Sequence, residues 1–289
     1  MDFASQPSPF CRSTTAKPQI WPSAEVRPQL CHSATAKPWR NLLFALLLFI
    51  TPFASAQTTI HVAAASDLQP VMPVWSAGFE KATGIKVVVS YGSSSMLSTQ
   101  IINGAPMDIF FSADYVFAEQ IIAANLADTT EPKEYAKGTL VLWARKDSHF
   151  QPLSLNALSD PKLKSLAVAN PEHAPYGRAA VAALQGMKVY ANVVPHIVEA
   201  ENIAQAAQFA ESGNAELARL SLTIASSQHF QDIGSFVYVP TYAYPEIRQT
   251  AVVIRKSAER EAAHKFLDYV LSGPVQAALP KLGLQPVFK

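Results

Sequence analysis

Residues 58–95 read TTIHVAAASDLQPVMPVWSAGFEKATGIKVVVSYGSSS, and the order of patterns within them decides the fold. Residues 58–65 are a short run of β-formers and small apolar residues, which predicts a strand. Leu68, Val71, Met72, Trp75 and Phe79 then recur at spacings of three and four, so they share one face of a helix, and Gly84 stands where a helix stop belongs. Pro73 inside that pattern predicts a kink or a delayed start, because its ring excludes a normal helical hydrogen bond. Residues 85–90 form a second strand and 91–95 a turn. Strand, helix, strand in this order predicts a mostly parallel α/β fold.

The alternation continues downstream. Helices are predicted over 96–103, about 177–184 and 203–212, and strands over 107–111, 140–144, 165–170, 189–194 and 217–225. A strand over 250–255 precedes a last helix expected to be capped by Ser257. Ala263, Phe266, Leu267, Val270 and Leu271 form its buried stripe and Gly273-Pro274 its stop. The strands at 140–144 and 250–255 are placed to cross between two bodies. The expected organisation is therefore two α/β lobes with mixed sheets flanked by helices. Residues 57–137 plus 250–289 form the first lobe and 138–249 the second, joined by a two-strand hinge around a cleft.

Upstream, Arg40 precedes an apolar run over 42–50 and the small-residue triplet Ala54-Ser55-Ala56. A positive flank, a short apolar stretch and an A-x-A site make a signal peptide, with cleavage expected between Ala56 and Gln57. The run is too short to span a bilayer, which needs about 20 residues. The segment from Cys11 to Pro18 nearly repeats from Cys31 to Pro38 with little apolar surface, so residues 1–56 read as an extension plus the signal peptide. Both cysteines of the chain lie there. The exported part therefore has no disulfide, thiolate metal site or cysteine nucleophile. The whole chain carries 23 basic and 22 acidic residues; from Gln57 onward 18 face 20, a net charge of −2. No basic block suits nucleic acid or an anionic membrane surface.

Four strand-to-helix turns carry small or hydroxyl residues: Ala65-Ser66-Asp67, Gly92-Ser93-Ser94-Ser95, Ala174-Pro175-Tyr176-Gly177 and Glu201-Asn202-Ile203. In open α/β sheets ligands bind at the carboxyl ends of strands, and each turn presents the unpaired N–H groups of a helix start. Four such turns facing one point suit a small dianion without any Arg or Lys. Each serine singly also fits an ordinary helix cap, worth about 1 kcal/mol, but one cap needs one hydroxyl and three serines follow Gly92. Asp67 is expected to point outward, because inward it would repel an anion. Ser94 as a nucleophile with a histidine base is the enzymatic alternative, a serine hydrolase, but no G-x-S-x-G elbow surrounds it.

Ala63-Ala64-Ala65-Ser66, the stretch from Tyr91 to Leu97, and above all the run from Gly104 to Asp114 (GAPMDIFFSAD) resemble the periplasmic molybdate-binding proteins of ABC-type molybdate transporters. The match continues through the run from Asn170 to Gly177 and through Glu201-Asn202-Ile203. The resemblance implies a type II periplasmic-binding-protein fold and capture of molybdate or tungstate for an inner-membrane permease. It implies a periplasmic monomer with no enzymatic activity and no cofactor, the bound anion being cargo. Carried over by position, Ser66 and Ser94 donate side-chain and main-chain hydrogen bonds, and Tyr176 and Ile203 donate main-chain N–H groups. No protein-coordinated metal cation is implied. Some members place a ligand tyrosine where Arg219-Leu220-Ser221-Leu222-Thr223 has none, and the resemblance suggests that Tyr176 compensates. Asp108 and Asp114 read as turn or helix-cap carboxylates. Another tetrahedral oxyanion, sulfate or phosphate, is the alternative ligand. N-terminal sequencing of periplasmic material should begin at Gln57; a retained apolar segment would contradict the leader.

Overall fold

The computed structural model describes residues 57–287; the extension and signal peptide expected over 1–56 lie outside the described residues. The chain first forms β1 (Thr59–Ala65), α1 (Met72–Thr83), β2 (Lys86–Gly92), α2 (Ser94–Ile102), β3 (Ile109–Ser112), α3 (Val116–Ala123) and β4 (Lys133–Gly138). It crosses into β5 (Leu140–Arg145), β6 (Leu166–Ala169), α4 (Pro175–Gly186), α5 (Tyr190–Val193), β7 (Ile197–Ala200), α6 (Ile203–Glu211) and β8 (Leu217–Ser221). There follow α7 (Leu222–Ala225), α8 (Gln228–Ile233) and β9 (Gly234–Tyr238), and then β10 (Ile247–Val253), α9 (Arg260–Leu271) and α10 (Gly273–Ala278).

Two five-stranded mixed sheets result, ordered β2-β1-β3-β10-β4 and β7-β6-β8-β5-β9. In the first, β1 runs parallel to β2 and β3 while β10 runs antiparallel to β3 and β4. In the second, β6 runs parallel to β7 and β8 while β5 runs antiparallel to β8 and β9. Each sheet with its helices is one lobe. Only Thr139 separates β4 from β5, and residues 239–246 return the chain to β10. The lobe boundary expected at 250 falls inside β10, whose residues from Ile247 already pair with β4.

Period-two alternation along β1 feeds both faces of the first sheet. Ile60, Val62 and Ala64 pack under Trp75, Phe79 and Phe266, whereas Ala63 meets Leu97, Ile101, Phe117 and Ile121 on the other face. In the second lobe, alanines at 179, 180 and 183 of α4 and at 206, 207 and 210 of α6 are buried against the sheet. With no side chain beyond Cβ, they let both helices approach it closely.

Several local expectations change. Pro73 lies in the first turn of α1, so the apolar pattern opening at Leu68 becomes helical only from Met72. Residues 189–194 hold the short α5 and its flanks rather than a strand: Lys188 has φ +60° and the chain turns, so the strand that pairs with β6 is Ile197–Ala200. The run over 217–225 is a strand only to Ser221, whose Oγ accepts from Ile224 N and starts α7. Ser257 does not cap α9, which starts at Arg260. Its Oγ instead donates to Asp108 Oδ1 at 2.6 Å, while Asp108 Oδ2 accepts from His61 N at 2.6 Å, so Asp108 fixes the approach to β3. Gly273-Pro274 ends α9 and also opens α10.

Gly177 holds α4 against the end of β6. A Cβ there would sit 2.2 Å from the main-chain oxygen of Ala169, and backbone cannot swing aside. Gly177→Ala should therefore displace the start of α4 and cost about 1–3 kcal/mol, read by denaturant unfolding; a stability at or above wild type would contradict this packing.

Candidate anion site between the lobes

Parallel strands put their carboxyl ends on one edge of each sheet, and the two edges face each other. Ser66 follows β1, Ser93 and Ser94 follow β2 and Ala113 follows β3; Tyr176 opens α4 after β6, and Ile203 opens α6 after β7. All six line one small cavity. The structure thus brings the four residues singled out in the sequence, Ser66, Ser94, Tyr176 and Ile203, to a single place, and each is 4% exposed or less.

Helix starts explain the cavity's chemistry. The first N–H groups of a helix have no acceptor within it. At α6, Asn202 Oδ1 accepts from Ala204 N (3.0 Å) and Gln205 N (3.1 Å), which leaves the Ile203 N–H free. At α4, Pro175 has no N–H and Ala174 O accepts from Gly177 N (2.9 Å), which leaves the Tyr176 N–H. At α2, Ser93 is the cap, accepting from Met96 N at 3.3 Å. Ser94 is therefore released from capping. Its Oγ accepts from Ala113 N at 3.1 Å, which leaves its hydroxyl proton as a donor. Among the described residues, no hydrogen bond joins Ser94 to a histidine, the contact that a Ser–His nucleophile requires.

Asp67 corrects an expectation. It does not point to solvent but is fully buried beside the cavity, in the 3-10 turn Ser66–Leu68. Gln249 Nε2 donates to its Oδ2 at 2.5 Å and lies 3.1 Å from Tyr176 Oη, while Tyr135 Oη donates to Gln249 Oε1 at 2.8 Å. Among the described residues, Asp67 Oδ1 has no partner. Thr223 Oγ1 donates to the Asp67 main-chain oxygen at 2.6 Å and lies 2.8 Å from Ser221 Oγ. The segment that lacks the tyrosine of some family members thus grips the first lobe by hydroxyls, and the Tyr176 hydroxyl reaches the same cluster from α4. Gly138 makes room for it, since a Cβ there would lie 2.2 Å from Tyr176 Oη. Gln249, Thr223 and Ala113 are not singled out by the sequence, because Gln249 lies inside β10, Ala113 just past β3 and Thr223 in the short α7, none with a local signal.

Burial pushes the Asp67 carboxyl from 3.8 up to about 7, against the lowering effect of the Gln249 hydrogen bond. The folded value exceeds the unfolded one, so the protonated form's stabilisation is complete below about pH 4 and is lost as pH rises through about 7. Asp67→Asn mimics the neutral carboxyl. Its stability advantage over wild type should open between pH 4 and 7 and level off above, reaching on the order of 2–4 kcal/mol. Unfolding curves of both proteins across that range check this; parallel pH profiles would show that Asp67 stays ionised.

Known proteins share this fold. Residues 60–285 match the family described as bacterial extracellular solute-binding protein. Molybdate-binding protein ModA of Azotobacter vinelandii is 35% identical over 234 residues, covering 81% of this chain and 92% of the relative. The ModA of Rhodobacter capsulatus is 32% identical over 240 residues, covering 83% and 92%. The solved structure of the Azotobacter vinelandii periplasmic molybdate-binding protein superposes with a TM-score of 0.70 at 29% identity, covering 78% of this chain and 98% of that one. With the profile spanning nearly all the described residues and both lobes superposing, this chain belongs to the bacterial extracellular solute-binding proteins.

Proposed function

We propose that this protein captures molybdate or tungstate in the interlobe cavity and hands it to the permease of an inner-membrane ABC transporter. In this reading it works as a periplasmic monomer and not as an enzyme. Ser66 and Ser94 donate hydroxyl and main-chain hydrogen bonds from the first lobe, and Tyr176 and Ile203 donate main-chain N–H groups from the second. The observation that carries the reading is the convergence of these donors on one small cavity with no Lys or Arg among its lining residues. The names of the two curated relatives support the choice of anion.

Physical chemistry sets the terms of such a site. A dianion leaving water without compensation would cost tens of kcal/mol. Hydrogen bonds to charged groups each return roughly 1.5–3 kcal/mol, and helix starts add partial positive charge that needs no counter-ion. A rigid cage of neutral donors selects by size. A smaller tetrahedral oxyanion leaves some donors out of reach, so discrimination against sulfate follows from geometry rather than charge.

Competitive calorimetry with molybdate, tungstate, sulfate and phosphate tests the assignment. Molybdate and tungstate should bind far more tightly than sulfate at equal concentration; equal affinity for sulfate, or no binding of molybdate, would overturn it. Ser94→Ala should weaken molybdate binding by roughly 1.5–3 kcal/mol, about tenfold to 150-fold. It should also lower the stability of the ligand-free protein, because the buried Ala113 N–H loses its acceptor. Molybdate at one hundred times its Kd should stabilise the wild type by about 2.7 kcal/mol.

A further inference from the structure

Hydrogen bonds cross between the lobes around the cavity. Ser95 N donates to His173 O at 3.2 Å, Thr223 Oγ1 donates to Asp67 O, and the Arg178 guanidinium pairs with the Asp114 carboxylate. We propose that Arg178 and Asp114 form a latch that is made as the lobes close and sets how fast the bound oxyanion is released, without either side chain being a ligand. This rests on the reading that an oxyanion occupies the cavity.

Placement supports the latch. Asp114 follows Ala113, whose N–H bonds Ser94 Oγ, and Arg178 comes two residues after Tyr176. The pair therefore stands one step outside the cavity on both lobes, beside a larger opening that both residues line. Asp114 is preset for one partner. Its Oδ1 accepts from Phe117 N and Ser112 Oγ, both at 3.1 Å, and its main-chain oxygen accepts from Thr250 Oγ1 at 2.6 Å. Oδ2 is left for Arg178. The same guanidinium lies 5.1 Å from the centre of the Phe117 ring. Both partners of Arg178 belong to the first lobe while Arg178 belongs to the second, so separating the lobes breaks the ion pair and the stacking together. Closure also sets a positive charge against Asp114, which otherwise brings a negative charge next to the cavity. Since the Arg178 side chain is 39% exposed and that of Asp114 13%, solvent screens the pair and the effect is modest.

Stopped-flow binding of molybdate to protein purified from the periplasm, wild type against Arg178→Gln, is the test. Release should be roughly threefold to tenfold faster in the variant, with association changed much less. The melting point of the ligand-free protein should barely move, because there the latch acts only in the closed fraction. Adding Asp114→Asn to Arg178→Gln should speed release no further, since the pair is already broken. Unchanged release, or a ligand-free melting point that falls with it, would overturn the latch. A wild type that ignores molybdate would instead overturn the functional reading. Spin labels on Lys81→Cys and Lys162→Cys, exposed positions on opposite lobes, then decide the latch in ligand-free protein. A smaller closed fraction in Arg178→Gln supports it, and identical distance distributions refute it.

Discussion

The opening N–H groups of a helix find no acceptor inside it, and this protein aims three helix starts and one 3-10 turn at a single small cavity. Everything else is arranged around that convergence. Strands β1, β2 and β3 run parallel so that their ends lie together, and β6, β7 and β8 repeat the device in the facing sheet. Side-chain caps decide which N–H groups stay available. Asn202 and Ser93 satisfy the inner ones, and the outermost remain for a ligand. Because main-chain dipoles do not titrate, this donor set is fixed by the fold and not by pH.

Against this neutral donor set stands one acid. Among the described residues, Asp67 is buried with no cationic partner, tied to Gln249 and with one oxygen unpartnered. Burial raises the carboxyl's pKa to about 7, and below that pH its neutral form carries none of the repulsion expected of an inward-pointing aspartate. Tyr176, Tyr135 and Gln249 form the wall behind it, from both lobes. One cluster thus joins the two lobes beside the cavity.

Sequence periodicity carried the architecture where elements are long and one-sided. Trp75 and Phe79, or Phe266 and Val270, recur at helical spacing because each helix buries one stripe. The candidate site was legible as four turns because serines and helix starts are local signals. Short elements were not. Strand β4, with Lys133, Glu134 and Lys137 among its six residues, lacks an apolar run since it forms a sheet edge. The β-branched residues Val189, Val193 and Val194 mimic a strand, yet only Val193 enters the core, and the left-handed Lys188 with Pro195 turns the chain. The side of the chain to which Asp67 points depends on Gln249, which lies 182 residues away. No local pattern encodes that distance.

The position of β10 has a consequence for how the molecule is assembled. It lies between β3 and β4, so the first sheet lacks a central strand until residues 247–253 have been supplied. The second sheet, by contrast, uses only β5 to β9, which are continuous in the chain. A chain emerging from its amino end can complete the second lobe while β4 still has no neighbour joining it to β3. Long-range pairing carries a large loop-closure cost, so the first lobe closes last. The half bearing the amino terminus therefore cannot finish folding before the strand at 247–253 has been supplied.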